Sequence, residues 1–312
     1  MSETAAPTRP QQAQQAAALL FIHAQTPLHP GSGTALGTVD LPVQRERHTQ
    51  WPVIQGSTLK GILRDACRRA SGSNADLFAA FGPETAEADK HAGALSLTDA
   101  RILAFPVRSL KGVFAWITCP AVLERVVRDV NLAQVNGAAL QLPNAPAKDK
   151  ALCQQTSALL VDGNKLVLEE FEFECTSDTS AVANWVAKHA FGENDRFTLE
   201  RFKSHMVILH DDDFTHFVRH ATEVVARVGL DYERKTVRSG ALFYEEFLPA
   251  ETLFYSVVLA SPSRREGHGK SAREVLDYLR GKMPHVLQIG GDETIGKGLC
   301  AVRLDTGEEG AS

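Results

Sequence analysis

The chain has 312 residues, of which 44% are hydrophobic, and a formal net charge of −5 at pH 7. This length accommodates one large domain or two modest ones, and the apolar content is sufficient for an ordinary core. The acidic balance excludes a uniformly basic surface, so any nucleic-acid site must be a local basic patch.

The cysteine pattern and the apolar runs indicate the class of protein. The five cysteines are widely scattered and include no C-x-x-C pair, which argues against a disulfide framework and a cysteine-rich zinc site. No apolar run approaches the length of a membrane-spanning helix, and no signal-peptide pattern stands near residue 1. The sequence therefore predicts a cytoplasmic protein, in a reducing compartment, that does not contact membranes.

Strand and helix patterns alternate along the chain. Apolar runs predict strands at residues 19–24, 94–97, 100–105, 112–118, 166–175, 206–209, 240–247, 252–260, 286–289 and 299–304. Apolar residues at helical spacing predict helices at residues 57–70, 121–130, 181–191, 214–228 and 272–282. Two of the strands, 240–247 and 252–260, are expected to pair around a turn. The alternation is typical of an α+β sheet domain with insertions.

The composition also predicts the domain boundaries. One domain is expected over residues 18–306, between a disordered tail at residues 1–17 and an acidic tail at residues 307–312. Residues from about 131 to 165 interrupt the pattern with prolines and charges, and we interpret them as an insertion.

The long connection between the first strand and the first helix contains the strongest functional signals. A connection of this length without its own secondary structure is usually functional or disordered. It carries Gly31 and Ser32, an isolated Asp40, and a basic cluster that consists of Arg45, Arg47 and His48. The isolated carboxylate fits equally well as a turn residue that accepts backbone N–H groups and as a functional group.

The start of the first helix indicates an anion site. Ser57 is predicted to be the N-cap, and the free N–H groups there attract anions. Lys60 and Arg64 are four residues apart and lie on one helix face. The alternative is a solvated loop followed by an ordinary surface helix, because short motifs have many false positives.

Two further motifs have both a functional and a structural interpretation. The glycine-rich segment 289–298 contains Gly290, Gly291 and Lys297 and can cradle phosphates, although it is neither a Walker A loop nor a dinucleotide fingerprint. His216 and His220 are spaced like a zinc pair, but Phe217 stands where a metalloprotease has glutamate. We interpret these histidines as part of a helix surface.

Several blocks of sequence together resemble the RAMP superfamily of CRISPR proteins, and most closely the backbone subunit of type III-B (Cmr) effector complexes. The blocks occur in the family order and span most of the chain. They are TPLHPGSG (26–33), VDLPVQRERH (39–48), PVIQGSTLKGILR (52–64), FPVRS (105–109), GALFYEE (240–246) and IGGDETIGKG (289–298).

The resemblance implies a fold and an activity. The fold is a modified ferredoxin-like, RRM-like palm with large insertions, which form fingers and a β-hairpin thumb at about residues 230–250. Asp40 falls on the catalytic aspartate of the family, and His29 is the nearest other titratable candidate. The implied reaction is metal-dependent cleavage of target RNA, with Mg²⁺ or Mn²⁺. Asp40 would either help to deprotonate the 2′-OH or bind the ion.

The implied partners are a CRISPR RNA, target single-stranded RNA, further copies of the chain in a helical filament, and other Cmr-type subunits. Glu245 and Glu246 would assist catalysis from a neighbouring subunit or simply be edge-strand charges. The candidate RNA-binding residues are Gly31, Ser32, Arg45, Arg47, His48, Ser57, Lys60, Arg64, Arg108, Lys111, Arg234, Lys235, Arg238, Gly290, Gly291 and Lys297.

Two other functions compete with this one. A purely structural subunit would bind guide RNA without cleaving, which the retained Asp40 disfavours. A stand-alone enzyme acting on a phosphate ligand would not co-purify with nucleic acid.

Overall fold

The computed structural model describes residues 15–34, 38–135, 139–192 and 195–307. The tail predicted at residues 1–17 lies outside these ranges up to residue 14, and Ala16 and Ala17 already belong to the first strand. The acidic tail predicted at residues 307–312 lies outside them after Gly307. None of the helices in these ranges has the length and apolar character needed to span a bilayer.

The described residues form a mixture of strands and helices. The strands are β1 Ala16–Ala24, β2 Val53–Ile54, β3 Leu95–Leu97, β4 Ala100–Arg108, β5 Phe114–Thr118, β6 Lys150–Leu152, β7 Leu160–Val161, β8 Lys165–Leu168, β9 Phe171–Ser177, β10 Met206–Leu209, β11 Glu223–Leu230, β12 Val237–Phe247, β13 Leu253–Ala260, β14 Val286–Gln288 and β15 Leu299–Asp305. The helices are α1 Gly56–Ser71, α2 Ala75–Phe81, α3 Pro120–Ala133, α4 Ser180–Ala190, α5 Arg196–His205, α6 Asp211–His220 and α7 Ala272–Lys282.

Most strands belong to one mixed sheet of 13 strands. Its order is β14-β15-β1-β13-β4-β5-β10-β6-β9-β8-β7, and β2 and β3 pair at the side with β4 and β13. The pairs β5–β10 and β6–β9 are parallel. The prediction of a sheet domain with interspersed helices is therefore confirmed as a mixed α/β fold.

Strand β1 lies in the core, between β13 and β15. Residues 18–24 of this strand are all buried, as expected for an unbroken apolar run that is covered on both faces. Phe21 meets the edge of Trp185 on α4, with ring centroids 6.3 Å apart. On α7, Ser271 and Glu274 form a capping box that fixes the start of the helix where sequence predicts it.

Strands β11 and β12 form a separate two-stranded hairpin. It exposes several large apolar side chains: Val224, Val228, Leu230, Tyr232, Val237 and Leu242. A lone two-stranded hairpin is only marginally stable in water, and an apolar patch of this kind marks an interaction surface. The hairpin is therefore a feature that a partner would cover.

Two predictions around this hairpin are wrong. The helix predicted at residues 214–228 ends at His220, and residues 223–230 form β11. Val224, Val225 and Val228 are β-branched and favour a strand. The pairing predicted between strands 240–247 and 252–260 is absent, because β12 pairs with β11 and β13 joins the main sheet.

One further strand prediction needs correction in the lateral part of the sheet. The strand predicted at residues 166–175 is a hairpin of β8 and β9, with Glu169 at φ +49° in the turn. The helix α5 has no counterpart among the predicted elements. The insertion predicted at residues 131–165 contributes β6 and β7 to the sheet, apart from residues 136–138, which lie outside the described ranges.

A disulfide joins Cys153, just after β6, to Cys175 on the adjacent β9. The scattered cysteines predict no disulfide framework, and for this pair the prediction is wrong. Residues that are 22 positions apart in sequence become neighbours because β6 and β9 pair in parallel. Cys67, Cys119 and Cys300 are free and buried.

Candidate functional site

Residues 244–246, which we call the hairpin base, are contacted by distant parts of the chain. Leu41 N donates to Tyr244 O and Glu246 N donates to Leu41 O, both at 3.0 Å. His29 contacts the same stretch, and the glycine-rich loop contacts His29. Blocks that are far apart in sequence therefore meet at one end of β12.

The imidazole of His29 is buried at the hairpin base. Its Nδ1 lies 2.6 Å from the carbonyl oxygen of Glu246, and because a carbonyl only accepts, Nδ1 carries a proton. Nε2 faces Glu245 Oε1 at 3.7 Å. This nitrogen is the basic one in the neutral ring, and protonating it would create an ion pair with Glu245. His29 can therefore hold or release a proton at Nε2.

The carboxyl of Glu245 is the second buried group. Its Oε2 accepts from Arg227 Nε at 3.0 Å, and Arg227 also donates from a terminal nitrogen to Asp292 Oδ2 at 2.6 Å. Burial, followed by the neighbouring Asp292, raises the pKa of Glu245, while His29 and Arg227 act in the opposite direction. A buried carboxyl with a raised pKa beside an imidazole is typical of groups that exchange protons.

Asp40 is exposed and is attached to the hairpin base by one oxygen. Its Oδ2 accepts a hydrogen bond from Tyr244 N at 2.7 Å. Among the described residues no ion pair or second hydrogen bond involves this carboxylate. Asp40 thus accepts a backbone N–H, as a turn residue does, and also presents a carboxylate to solvent. No hydrogen bond joins Asp40 to His29 within the described ranges, and the hairpin base links them.

Arg45 fastens the loop that carries Asp40. Its guanidinium donates to Glu246 Oε1 at 2.6 Å and to Val218 O at 2.9 Å. The other oxygen of Glu246 accepts from Val43 N at 3.0 Å. Arg45, predicted as an RNA contact, is engaged within the protein, and Glu246 is a structural acceptor in the same chain.

The glycine-rich loop packs directly on His29. Gly290 has φ +83°, and a Cβ there would lie 2.3 Å from the carbonyl oxygen of His29, so only glycine fits. Gly291 N donates to the same oxygen at 3.0 Å. Lys297 Nζ lies 4.8 Å from the centre of the Phe247 ring. These are packing contacts, and guide-RNA binding by Gly290, Gly291 and Lys297 stays a prediction.

Gly31 and Ser32 follow His29 closely in the chain. A Cβ on Gly31 would lie 2.6 Å from His29 Nε2, so this glycine leaves room for the imidazole. Gly31 also pairs with Val43. Ser32 is exposed, and its hydroxyl donates to Pro42 O at 3.0 Å.

The start of α1 differs from its prediction. The helix begins at Gly56, its N-cap is Gln55, and no side chain of the flanking residues caps it. Asp99 Oδ1 accepts from Gly56 N at 2.8 Å. The N-cap role predicted for Ser57 is therefore wrong, because the helix starts one residue earlier and a distant carboxylate supplies the acceptor.

Lys60 and Arg64 are half-buried and engaged by main-chain carbonyls. Lys60 Nζ donates to Leu95 O at 3.0 Å, and Arg64 donates to Pro83 O at 2.9 Å. Burial lowers the pKa of Lys60, and the nearby charges of Arg64 and Arg264 add to this effect. At the start of α1, Lys60 and Arg64 therefore already have hydrogen-bond acceptors within the chain.

Arg47 and His48 lie on the exposed part of the loop before β2. Arg47 is exposed, and within the described ranges its guanidinium has no acceptor. His48 Nε2 lies 3.2 Å from a terminal nitrogen of Arg125. Of the cations predicted in this loop, Arg47 is therefore the one most available to a phosphate.

The cations predicted beside β4 are engaged by their neighbours. Arg108 pairs with Glu169 at 2.8 Å. Lys111 Nζ donates to Leu160 O at 2.8 Å. Both contacts connect β4 and its following turn to the lateral strands of the sheet.

The last predicted cations lie at the tip of the hairpin. Arg234, Lys235 and Arg238 are all exposed. Lys235 Nζ sits 4.2 Å from the ring centre of Tyr232. The tip therefore combines positive charge with an exposed aromatic ring.

Sequence reasoning misses Arg227 and leaves Glu245 undecided. Arg227 falls inside the helix predicted at residues 214–228, where it has no reason to meet Glu245. The β-branched residues Val224, Val225 and Val228 favour a strand there, but no pattern within that strand specifies the pairing that brings Arg227 to Glu245. Asp292 stands in the glycine-rich block but is not distinguished from its neighbours by sequence alone.

The described residues contain no group of three or more histidine, cysteine or acidic side chains able to enclose a metal ion. His216 and His220 lie exposed on α6, with ring centroids 4.8 Å apart. Mg²⁺ is commonly held by one or two carboxylates together with substrate phosphates and water. The exposed Asp40 fits such a site as a single protein ligand.

Comparison with known proteins places these residues in a family. The model of the RAMP superfamily matches residues 21–301. Over 290 residues, the chain is 42% identical to a protein of Pyrococcus furiosus named CRISPR system Cmr endoribonuclease Cmr4, covering 92% of this chain and 95% of the relative.

Solved structures agree with this family. The crystal structure of oligomeric Cmr4 from Pyrococcus furiosus has a TM-score of 0.71 and 34% identity, and the match covers 94% of this chain and 98% of that one. A cryo-EM structure of type III-B Cmr-beta bound to cognate target RNA has a TM-score of 0.69 and 23% identity, covering 92% and 96%, and shows likeness of fold alone. The chain belongs to the RAMP superfamily.

Proposed function

We propose that this chain is the backbone subunit of an RNA-guided endoribonuclease of the Cmr type. It binds a CRISPR RNA, polymerises along it with further copies and other Cmr-type subunits, and cleaves complementary single-stranded target RNA once per subunit. The observation that carries the proposal is the meeting of Asp40, His29 and Glu245 at residues 244–246.

The relatives support the activity and the self-assembly. The Pyrococcus furiosus relative is named an endoribonuclease, and the match extends over nearly all of both chains. The crystal structure from the same organism is described as oligomeric. Base pairing with the guide would supply sequence specificity, since a protein of this kind contacts mainly the RNA backbone.

The chemistry of the site suits RNA cleavage by the 2′-OH. This oxygen attacks phosphorus, the bond to the 5′ oxygen breaks, and a proton must leave the first oxygen and reach the second. Asp40 either accepts the 2′-OH proton or binds the divalent ion, and His29 with Glu245 can hold and move a proton at His29 Nε2. Bound Mg²⁺ or Mn²⁺ would stabilise the negative charge on the phosphate oxygens.

The architecture supports a palm with an attached thumb. The main sheet around β1 would be the ferredoxin-like palm, the lateral insertions the fingers, and the hairpin β11–β12 the thumb. The thumb would then begin at Glu223, earlier than the segment at about residues 230–250 that the sequence predicts. Its exposed apolar side chains would wedge into the guide–target duplex. Unstacking bases in this way costs roughly a few kcal/mol per base step.

Exposed cations would bind the RNA backbone. Arg47 and the hairpin-tip residues Arg234, Lys235 and Arg238 are exposed to solvent. Lys60 and Arg64 would contribute less, since carbonyl groups already accept from both. The glycine-rich loop would approach the guide through its backbone.

Reconstitution with a guide RNA tests the proposal. The chain, a guide and a labelled complementary RNA should give cuts at a regular spacing, and chelation of divalent ions should stop them. A non-complementary RNA of equal length is the control. Tight guide binding without any cutting of complementary RNA, with Mg²⁺ or Mn²⁺ present, would establish the purely structural subunit instead.

A further inference from the structure

Arg227 connects the hairpin to the glycine-rich loop through two carboxylates. On the hairpin, Arg227 pairs opposite Phe243, so Glu245 is its diagonal neighbour on the same face. Its Nε donates to Glu245 at 3.0 Å, and a terminal nitrogen donates to Asp292 at 2.6 Å. The planar guanidinium suits this bridge, because its donors are fixed relative to one another.

These contacts close a ring around His29. Glu245 faces His29 Nε2 at 3.7 Å, and Gly291 N, adjacent to Asp292, donates to the backbone carbonyl of His29 at 3.0 Å. The ring therefore runs from His29 through Glu245, Arg227 and Asp292 back to His29. Each member sits on a different segment of the chain, so the ring holds all of these segments in one arrangement.

We propose that Arg227 and Asp292 are positioning residues that set the place and the charge of Glu245 against His29 during RNA cleavage. This inference rests on the proposed nuclease function. Neither residue needs to touch RNA, because both act through Glu245. We call the pair the Arg227–Asp292 clamp.

The clamp has opposite electrostatic effects on Glu245. The charged groups that face Glu245 are His29 after β1, Arg227 on β11 and Asp292 in the glycine-rich loop. Glu246 and its partner Arg45 lie on the other face of β12. The positive charge of Arg227 favours the ionised carboxylate, and the negative charge of Asp292 disfavours it. Removing each in turn should therefore move the pKa of Glu245 in opposite directions.

The pH dependence of cleavage distinguishes a positioning role from a structural one. If ionised Glu245 supports His29, activity falls as the pH drops through the pKa of Glu245. Arg227→Ala raises this pKa, so the acid side of the pH–rate profile moves to higher pH. Asp292→Asn keeps an acceptor for Arg227 but lowers the pKa of Glu245. The acid side of the pH–rate profile therefore moves to lower pH.

The experiment compares pH–rate profiles of assembled complexes on complementary RNA. We expect Arg227→Ala to slow cleavage at least about tenfold at neutral pH, because small displacements of reacting groups are costly. Arg227→Lys should restore the pH profile but not the full rate, since lysine returns the charge without the bridging geometry. Arg280→Ala and Asp277→Asn, which remove a similar pair on α7 at 2.8 Å, are the matched controls.

The outcomes separate this inference from the proposed function. If Asp40→Asn cuts RNA at the full rate, the nuclease assignment at this site is wrong. The clamp proposal, which rests on that assignment, is then wrong as well. Inactive Asp40→Asn together with unshifted profiles for both Arg227→Ala and Asp292→Asn would overturn the clamp alone. If Arg227→Ala does not assemble, the profile of Asp292→Asn decides, and a shift to higher pH or no shift contradicts the proposal.

Discussion

The start of α1 and the hairpin base both contain charged residues for which the sequence offers a function. In the structure, the partners and the burial of these residues differ. At α1, Asp99 accepts from the first helical N–H, and carbonyl groups accept from Lys60 and Arg64. At the hairpin base, His29 and Glu245 are buried against each other, and Asp40 keeps a solvent-exposed carboxylate.

The charged side chains at the start of α1 stabilise the fold, whereas those at the hairpin base are arranged for proton transfer. Side chains satisfied by carbonyls within the chain gain little by also binding a ligand. At the hairpin base, the buried carboxyl of Glu245 lies between Arg227 and His29, and burial raises its pKa. A basic motif at a helix start is therefore weaker support for a site than a small buried cluster of mixed charge.

Among the buried charged groups of these two regions, the largest effect should come from removing the charge of Glu245. Glu245→Gln keeps the size of the side chain but leaves His29 Nε2 without a carboxylate at 3.7 Å. Cleavage should fall by about a hundredfold, as for loss of a proton-transfer partner. Single-turnover rates measure this effect.

Glu172→Gln is the matched control, because Glu172 is an exposed strand carboxylate that pairs with Lys165 at 2.8 Å. Guide binding should be unchanged in both variants. An equal loss of rate in Glu172→Gln, or normal cleavage by Glu245→Gln, would remove the distinction between the hairpin base and the rest of the surface.

An intermediate effect is expected at the hairpin tip. Changing Arg234, Lys235 and Arg238 together to glutamine removes three exposed positive charges. The slope of log affinity against log salt should fall by up to about three, since each phosphate contact contributes about one. The unfolding temperature should not change, because these side chains are exposed.

Deleting the hairpin tip gives a second test of its role in RNA binding. The palm should stay folded, because the hairpin is separate from the main sheet, while the spacing of cuts in the target RNA should change. A tip deletion that preserves target binding and cut spacing contradicts the assignment of the hairpin as thumb.

The smallest effect contrasts Arg47 with Lys60. Arg47→Ala should lower the salt slope by about one, because this exposed guanidinium has no acceptor within the described ranges. Lys60→Ala should lower the slope less but reduce the unfolding temperature, since Lys60 Nζ bonds Leu95 O. Salt titrations and thermal unfolding of both variants measure this, and a larger slope change for Lys60→Ala would reverse the contrast.

Much of the fold can be predicted from sequence where patterns are local. Met206–Leu209 and Ala272–Lys282 match their predicted bounds, because apolar periodicity and a capping box specify them. The hairpin is not predicted correctly, since most of β11 falls in the helix predicted at residues 214–228. Strand pairing depends on contacts between distant segments, which periodicity does not record.

The site shows the same limit. Sequence blocks identify Asp40 and His29, and the structure attaches both to residues 244–246. Arg227 and Asp292 come together only through pairing of β11 with β12 and through the turn of the glycine-rich loop. Ser57 failed as an N-cap because the competing acceptor, Asp99, lies 43 residues from Gly56 in sequence.

The central claim is that the exposed carboxylate of Asp40 acts in cleavage, and Asp40→Asn tests it most directly. The amide oxygen can still accept from Tyr244 N, so the loop should keep its place while the charge is lost. Guide binding, assembly and target cleavage are measured on one preparation, with and without divalent ion. We expect normal binding and assembly with cleavage slowed by about a hundredfold or more. Full-rate cleavage by Asp40→Asn, or loss of RNA binding in step with activity, would contradict the account.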